Sequence, residues 1–277
     1  MPLVAAAGDM IQQVARFRKL HRQQTPLILP NIWDAGGALL AQWLGAKAVA
    51  TTSAGVAWSM GYRDGYVLPF ELQIGLTIRI ARVLEIPFSI DVENGYSDDQ
   101  GIVAENIVMI ARAGASGVNL EEGPDDPAMV ISKIKAARAA LDRAGLDLFI
   151  NLRCDVFLKK LVSADKIVAE TIERGGAYKE AGADGLFVPA LVKAQDIEAI
   201  TSSLSIPLNI MSWPGVPKAE ELAGLGVKRL SAGSNLSQVL WQTLADLSKD
   251  FLASGDSTPF MKGSMPYAEL QALFPNE

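Results

Sequence analysis

Ala113-Gly114-Ala115-Ser116-Gly117-Val118-Asn119-Leu120-Glu121 joins the end of one element to the start of another. A glycine here suits the left-handed backbone that closes a helix, because it has no Cβ to clash. The residues after it, Val118-Asn119-Leu120-Glu121, alternate apolar and polar as a half-buried strand does. The same device recurs at Leu44-Gly45-Ala46, Ala181-Gly182-Ala183 and Leu225-Gly226-Val227, each just before a strand candidate. Four helix-to-strand connections of one design predict a parallel sheet.

Working outward, strand candidates fall at Leu27–Asn31, Ala48–Ser53, Phe88–Glu93, Val118–Glu121, Leu148–Arg153, Gly185–Pro189, Pro207–Met211 and Arg229–Gly233. Helical spacing lies between them. Leu72, Leu76, Ile80 and Val83 share one face, as do Val130, Ile134, Ala137 and Leu141, and Asp126-Pro127 reads as an N-cap followed by proline at the first helical position. Eight strand–helix units predict an α/β fold, a (β/α)8 TIM-type barrel over residues 1–255, near the usual size of about 250 residues. An open doubly wound sheet is the alternative, but no Gly-x-Gly-x-x-Gly follows the first strand, so dinucleotide binding is not expected. Leu236, Leu240, Leu244, Leu247 and Phe251 form the stripe of a last long helix. Gly255–Pro259 then reads as a linker and Tyr267–Phe274 as a short helix, so 256–277 is a tail that docks on its own barrel or on a neighbouring subunit.

The hydrophobic fraction of 49% supplies one large core in a chain of 277 residues. A net charge of −6 with no Lys/Arg-rich run argues against a nucleic-acid or anionic-membrane surface. Cys154 is the single cysteine, so no intramolecular disulfide forms, which is compatible with a reducing cytoplasm. No apolar stretch reaches membrane-spanning length and Met1 to Arg22 lacks a leader pattern. The expectation is a cytoplasmic protein that is neither secreted nor membrane-spanning.

Side chains alternate across a strand, which splits each one into two faces. In the third, Phe88, Ile90 and Val92 oppose Ser89, Asp91 and Glu93; in the fourth, Val118 and Leu120 oppose Asn119 and Glu121; in the fifth, Leu148, Ile150 and Leu152 oppose Phe149, Asn151 and Arg153. The apolar faces must meet helices, so the polar faces point into the barrel. The same reasoning adds Asn31, Ser53, Asn209 and Ser231. Most of these residues end their strands, the face on which barrel enzymes keep their active sites. Asp91, Glu93 and Glu121 would repel one another there, and a hard oxygen-liganded cation resolves this. Mg²⁺ suits the set, with Mn²⁺ as an alternative. Arg153 adds a planar fork for a substrate carboxylate or phosphonate. An acid just after a strand often only caps the next helix; three acids and an arginine on one face make that reading weaker for the set. Glu122 and Cys154 fall on the outward parity and read as structural, and His21, ahead of the first strand, as structural or surface.

At these residues the chain resembles the isocitrate lyase/phosphoenolpyruvate mutase superfamily. The likeness runs from about Phe17 to Phe251 through Leu29-Pro30-Asn31-Ile32-Trp33-Asp34-Ala35, Thr51-Thr52-Ser53-Ala54-Gly55-Val56-Ala57, Gly61-Tyr62-Arg63-Asp64-Gly65, Asp91-Val92-Glu93-Asn94-Gly95-Tyr96, Asn119-Leu120-Glu121-Glu122-Gly123 and Asn151-Leu152-Arg153-Cys154-Asp155. It implies an α/β barrel acting on small 2-oxo acids or their aldol-type adducts through an enolate held at Mg²⁺. It also implies a homo-oligomer, a dimer or a tetramer, in which a C-terminal helix swaps between neighbours. By motif, Asp91 would ligate the metal, Glu93 and Glu121 would hold its waters, and Asp64 would join that network. Ser53, Ala54 and Gly55 would cradle the substrate carboxylate and oxo oxygen, Arg153 would pair with the carboxylate, and Asn209 stands with the substrate-binding set. Ser53, Asp64 and Arg153 are the catalytic candidates. Ala54 departs from the usual Ser-Gly, and Glu93 replaces a more usual aspartate.

The superfamily's lyases carry a Lys-Lys-Cys-Gly-His loop after the fourth-strand glutamate. Here that stretch is Glu121-Glu122-Gly123-Pro124-Asp125-Asp126-Pro127, without cysteine, lysine or histidine, and without the lysine- and asparagine-bearing loop of the phosphonate-active members. The expectation is therefore a short-loop member that cleaves a C–C bond of a small 2-oxo acid, by oxaloacetate-like decarboxylation or retro-aldol. C–C or C–P hydrolysis or phosphonomutase-type activity, and a non-catalytic metabolite-binding barrel, are the alternatives.

Overall fold

The computed structural model describes residues 7–123 and 125–274. Its strands are β1 (Leu27–Leu29), β2 (Asn31–Ile32), β3 (Val49–Thr51), β4 (Phe88–Asp91), β5 (Gly117–Glu121), β6 (Phe149–Arg153), β7 (Gly185–Val188), β8 (Leu208–Met211) and β9 (Arg229–Ser231). All pairings are parallel, in the order β1-β9-β8-β7-β6-β5-β4-β3-β2. β1 and β2 are one stave interrupted at Pro30, which has no N–H to give to a ladder. The lower half pairs with β9 and the upper half with β3, so the ring closes and the expected eight-stave barrel forms.

Strand positions match the sequence expectation, most with ends one or two residues shorter, while β5 starts one residue earlier and β2 runs one residue further. The clearest difference is Ser53, which opens a helix (Ser53–Ser59) instead of ending β3. Strand parity therefore does not govern it; Ala50 is the inward residue of β3. In the helix Phe70–Val83, Gln73, Leu76, Thr77 and Ile80 are buried, while Leu72 sits at the exposed edge of the expected stripe. Pro127–Ala144 follows the expectation: Asp126 accepts from the Ala128 N–H at 2.8 Å, and Val130, Ile134, Ala137 and Leu141 are buried.

Two apolar layers result. The outer one lies between strands and helices and contains Phe88, Ile90, Val92, Val118, Leu120, Ile150 and Leu152. The inner one fills the amino-terminal end of the bore, where the helix Ala7–Leu20 inserts Phe17 and Leu20 among Leu27, Leu29, Ala48, Ala50 and Phe149. Each buried leucine, isoleucine, valine or phenylalanine here stabilises the fold by about 1.5–3 kcal/mol. A Cβ on Gly117 would stand 2.8 Å from Phe17, so only glycine lets this plug seat. His21 belongs to it: the ring stacks on Phe149 at 4.2 Å, and burial, then the Arg229 charge, lowers its pKa to about 3.

The last long helix, Asn235–Ser254, is largely uncovered. Leu236, Leu240, Leu244 and Phe251 are exposed, and Ile28, on the outward face of β1, is 53% exposed. Among the described residues no helix covers Ile28, where the pattern should lay one over the barrel. The tail returns to its own chain. A short helix, Thr258–Gly263, begins at the last two residues of the expected linker, and the helix Tyr267–Ala272 lies beside Leu39, Gln42 and Trp43. No described helix is long and apolar enough to cross a membrane.

Candidate active site

The polar faces of the strands meet inside the barrel. In the middle layer the Asn151 amide donates to Asn119 (2.8 Å) and Asn209 (3.0 Å), the Asn209 amide donates to Ser231 (3.1 Å), and Arg229 reaches Asn119 at 3.2 Å. Asn209 is buried and its amide is engaged within this layer. Arg229 is fully buried, and burial lowers its pKa to about 9 while the Asp91 charge opposes the shift.

Above this layer stand the acidic residues. Asp91 ends β4, and its Oδ1 accepts from the Glu93 N–H at 3.1 Å. Glu93 has a positive φ of 50°, a conformation that a non-glycine residue holds only when its surroundings impose it. The Glu121 N–H, donating to the Glu93 carbonyl at 2.8 Å, and the Val92 N–H, donating to the Asn119 carbonyl at 3.0 Å, help to impose it. Glu121 pairs in register with Arg153 across β5 and β6, and Arg153 Nη1 donates to Glu121 Oε2. Arg153 Nε donates to Asp155 Oδ1 at 2.7 Å. Burial disfavours its charge, but Glu121 and Asp155 hold the guanidinium protonated.

A loop that periodicity could not aim closes the cluster. Tyr66, with φ of 63°, donates its backbone N–H to Glu93 and its hydroxyl to Glu121. Its hydroxyl rests over Gly123, where an added Cβ would stand 2.5 Å away. The signal in the sequence was its place directly after Gly61–Gly65; nothing in the residue spacing gave its direction. Asp64 is exposed, and its charge acts on Glu93.

Burial raises the pKa of Glu93 to about 7, and the charges of Asp64 and Glu121 add to the shift. Asp91 is pushed up as well, by burial and then by Glu121, against the pull of Arg153. Three neighbouring carboxylates therefore face one firmly charged guanidinium. Among the described residues no group of three or more His, Cys, Asp or Glu side chains is placed to hold a metal ion by itself. Asp91, Glu93 and Glu121 are the donor type of an ion that takes one or two carboxylates and keeps waters, the habit of Mg²⁺.

Ser53, Ala54 and Gly55 form the first turn of the Ser53–Ser59 helix, whose leading N–H groups lie outside its own ladder. A Cβ on Gly55 would come within 2.7 Å of Thr52 and 3.1 Å of Trp33, so the turn requires glycine. On the outer face, Glu122 accepts from the Tyr178 hydroxyl at 2.5 Å and from the Asp155 N–H at 2.6 Å. It thereby holds the residue that grips Arg153, a link that parity alone did not reveal. Cys154 lies in the outer core, where burial pushes its thiol up.

The family model described as phosphoenolpyruvate phosphomutase matches residues 17–252. The chain belongs to that family. An uncharacterized Mycobacterium tuberculosis protein is 34% identical over 92% of this chain and 95% of its own. A crystal structure from Burkholderia cenocepacia J2315, provisionally named a phosphonomutase, is 42% identical, covers 86% of this chain and 99% of that one, and superposes with a TM-score of 0.82. The oxaloacetate decarboxylase of Pseudomonas fluorescens is 25% identical over 78% of this chain and 77% of its own. Membership in this phosphoenolpyruvate mutase/isocitrate lyase superfamily makes the protein an enzyme of its lyase and mutase type.

Proposed function

We propose that this member of the phosphoenolpyruvate mutase family is a Mg²⁺-dependent lyase that breaks a C–C bond of a small 2-oxo acid, by oxaloacetate-like decarboxylation or retro-aldol cleavage. The observation that carries the reading is the cluster of Asp91, Glu93 and Glu121 beside Arg153, with two carboxyls pushed up by burial and mutual repulsion. Asp91 would hold the ion, and Glu93 and Glu121 its waters. The bound ion supplies positive charge where an oxygen gains electrons.

The chain's own residues do the rest. Arg153, turned by Asp155, orients the substrate carboxylate. The first-turn N–H groups of Ser53, Ala54 and Gly55, with the Ser53 hydroxyl, donate to the carboxylate and oxo oxygens. Asp64 completes the polar rim. Loss of CO₂ requires no acid on the leaving group, which fits a chain without the lyase loop. The Burkholderia relative's name gives C–P chemistry the second place. The exposed stripe of Asn235–Ser254 and the uncovered flank at Ile28 support a homo-oligomer in which this helix covers a neighbour. The single buried Cys154 fits a cytoplasmic setting.

The test is turnover of oxaloacetate, phosphonopyruvate and methylisocitrate, each with Mg²⁺ or with EDTA, followed by pyruvate release. Pyruvate from oxaloacetate that stops with EDTA supports the proposal, and release from phosphonopyruvate alone moves it to C–P cleavage. Ligand-induced thermal stabilisation without any turnover leaves a metabolite-binding barrel. Asp91→Ala abolishes turnover while the protein stays folded; surviving activity refutes the metal assignment.

A further inference from the structure

When a bond beside a carbonyl breaks, the pyruvate fragment leaves as an enolate and its C3 must still gain a proton. The short Glu121–Pro127 stretch offers no cysteine for this. Among the described residues at the mouth, Tyr66 is distinctive. Its hydroxyl hydrogen-bonds to Glu121, its N–H pins it to Glu93, and the glycine beneath it leaves room for nothing larger. Held in this way beside the acidic cluster, the residue is still 41% exposed. A positive φ at a tyrosine persists only when other contacts require it.

We propose that Tyr66 is the proton donor to C3 of the enolate; the proposal rests on the lyase reading of the same site. The C3–C4 bond breaks, its electron pair forms the C2–C3 double bond, the carbonyl pair moves to the C2 oxygen, and CO₂ departs. The oxygen pair then re-forms the carbonyl while C3 takes the proton from Tyr66 Oη. The phenolate left behind is reprotonated by water at the mouth. The other candidates are less suited. Tyr178 is committed to Glu122 outside the barrel, Cys154 is in the outer core, and the Tyr96 ring packs against Phe70 at 5.3 Å.

The deciding measurement is the exchange of pyruvate methyl protons with D₂O, followed by proton NMR with Mg²⁺ and enzyme. This half-reaction does not depend on which bond is cleaved. Wild type should wash out the methyl signal, Tyr66→Phe should slow the exchange by about a hundredfold or more, and Tyr96→Phe should match wild type. Melting curves and Mg²⁺ titration of Tyr66→Phe check that fold and ion binding persist. Exchange by Tyr66→Phe at the wild-type rate overturns the assignment, as does a wild type that releases CO₂ from oxaloacetate yet exchanges no pyruvate protons. Exchange that depends on Tyr66, in a protein that cleaves none of the substrate panel, sinks the lyase reading and leaves Tyr66 as the proton donor.

Discussion

Asp155→Asn isolates the support behind Arg153. The carboxylate of Asp155 is fully buried, accepts from Arg153 Nε at 2.7 Å and lies 3.3 Å from Lys159 Nζ. Asparagine keeps the shape and one acceptor oxygen, but loses the charge and turns an NH₂ toward Lys159. A hydrogen bond to a charged group is worth about 1.5–3 kcal/mol. If that energy serves to aim the guanidinium, kcat/KM should fall by roughly ten- to a hundredfold. The loss should fall mainly on KM, because a carboxylate clamp binds substrate and transition state alike. Steady-state kinetics on wild type, Asp155→Asn, Arg153→Lys and the double variant give the coupling, with thermal melts confirming that each is folded. The two single losses should not add. Additive effects, or a folded Asp155→Asn within twofold of wild type, would refute the chain of support from Glu122 through Asp155 to Arg153.

Other consequences follow from burial and backbone conformation. With Glu93 near 7 in the folded protein and about 4.3 unfolded, the folded state holds a proton that the unfolded state has lost between those values. Its contribution to stability is therefore fully present below pH 4 and lost as pH rises through 7. In urea melts with EDTA, Glu93→Gln should gain over wild type across that window and hold its lead above it; a gap that does not change with pH contradicts the assignment. Leu240→Glu, in the uncovered stripe of the last long helix, should yield monomers by sedimentation velocity where wild type is oligomeric; a wild-type monomer removes the basis for the proposed assembly. Gly182→Ala places a Cβ 2.8 Å from Arg138 Cγ at a φ of 115° and should cost about 1–3 kcal/mol in denaturant melts; an unchanged midpoint would show that Arg138 moves aside freely.

The barrel was legible because its signals are local. Glycines at positions 45, 114, 182 and 226 have φ values between 83° and 115°, so each carried its own conformational message. Strand parity placed Asp91, Glu121 and Arg153 correctly, since alternation is a property of the extended chain. Parity did not apply where the chain stopped being extended: Ser53 begins a helix, and Glu93 joins the cluster through a turn at positive φ and not by alternation. It also gave Asn209 an inward direction without a depth, and the structure sets it in the middle layer. Tyr66 and the grip of Glu122 on the Asp155 N–H were hidden because both join residues far apart in sequence through loop conformation.

Pro30 gives this cylinder a lengthwise joint. At that point the two halves of one stave answer to different neighbours, the Leu29 carbonyl accepting from the Ala232 N–H at 3.1 Å and the Pro30 carbonyl from the Ala50 N–H at 3.1 Å. The Asn31 side chain spans it, donating to the Thr51 carbonyl at 2.8 Å and accepting from the Gly233 N–H at 2.9 Å. One primary amide thus rivets the first turn of the wall to the last. Cutting the chain at this joint, as a circular permutation would, leaves that rivet and its few neighbours to keep a tube from relaxing into a curved sheet.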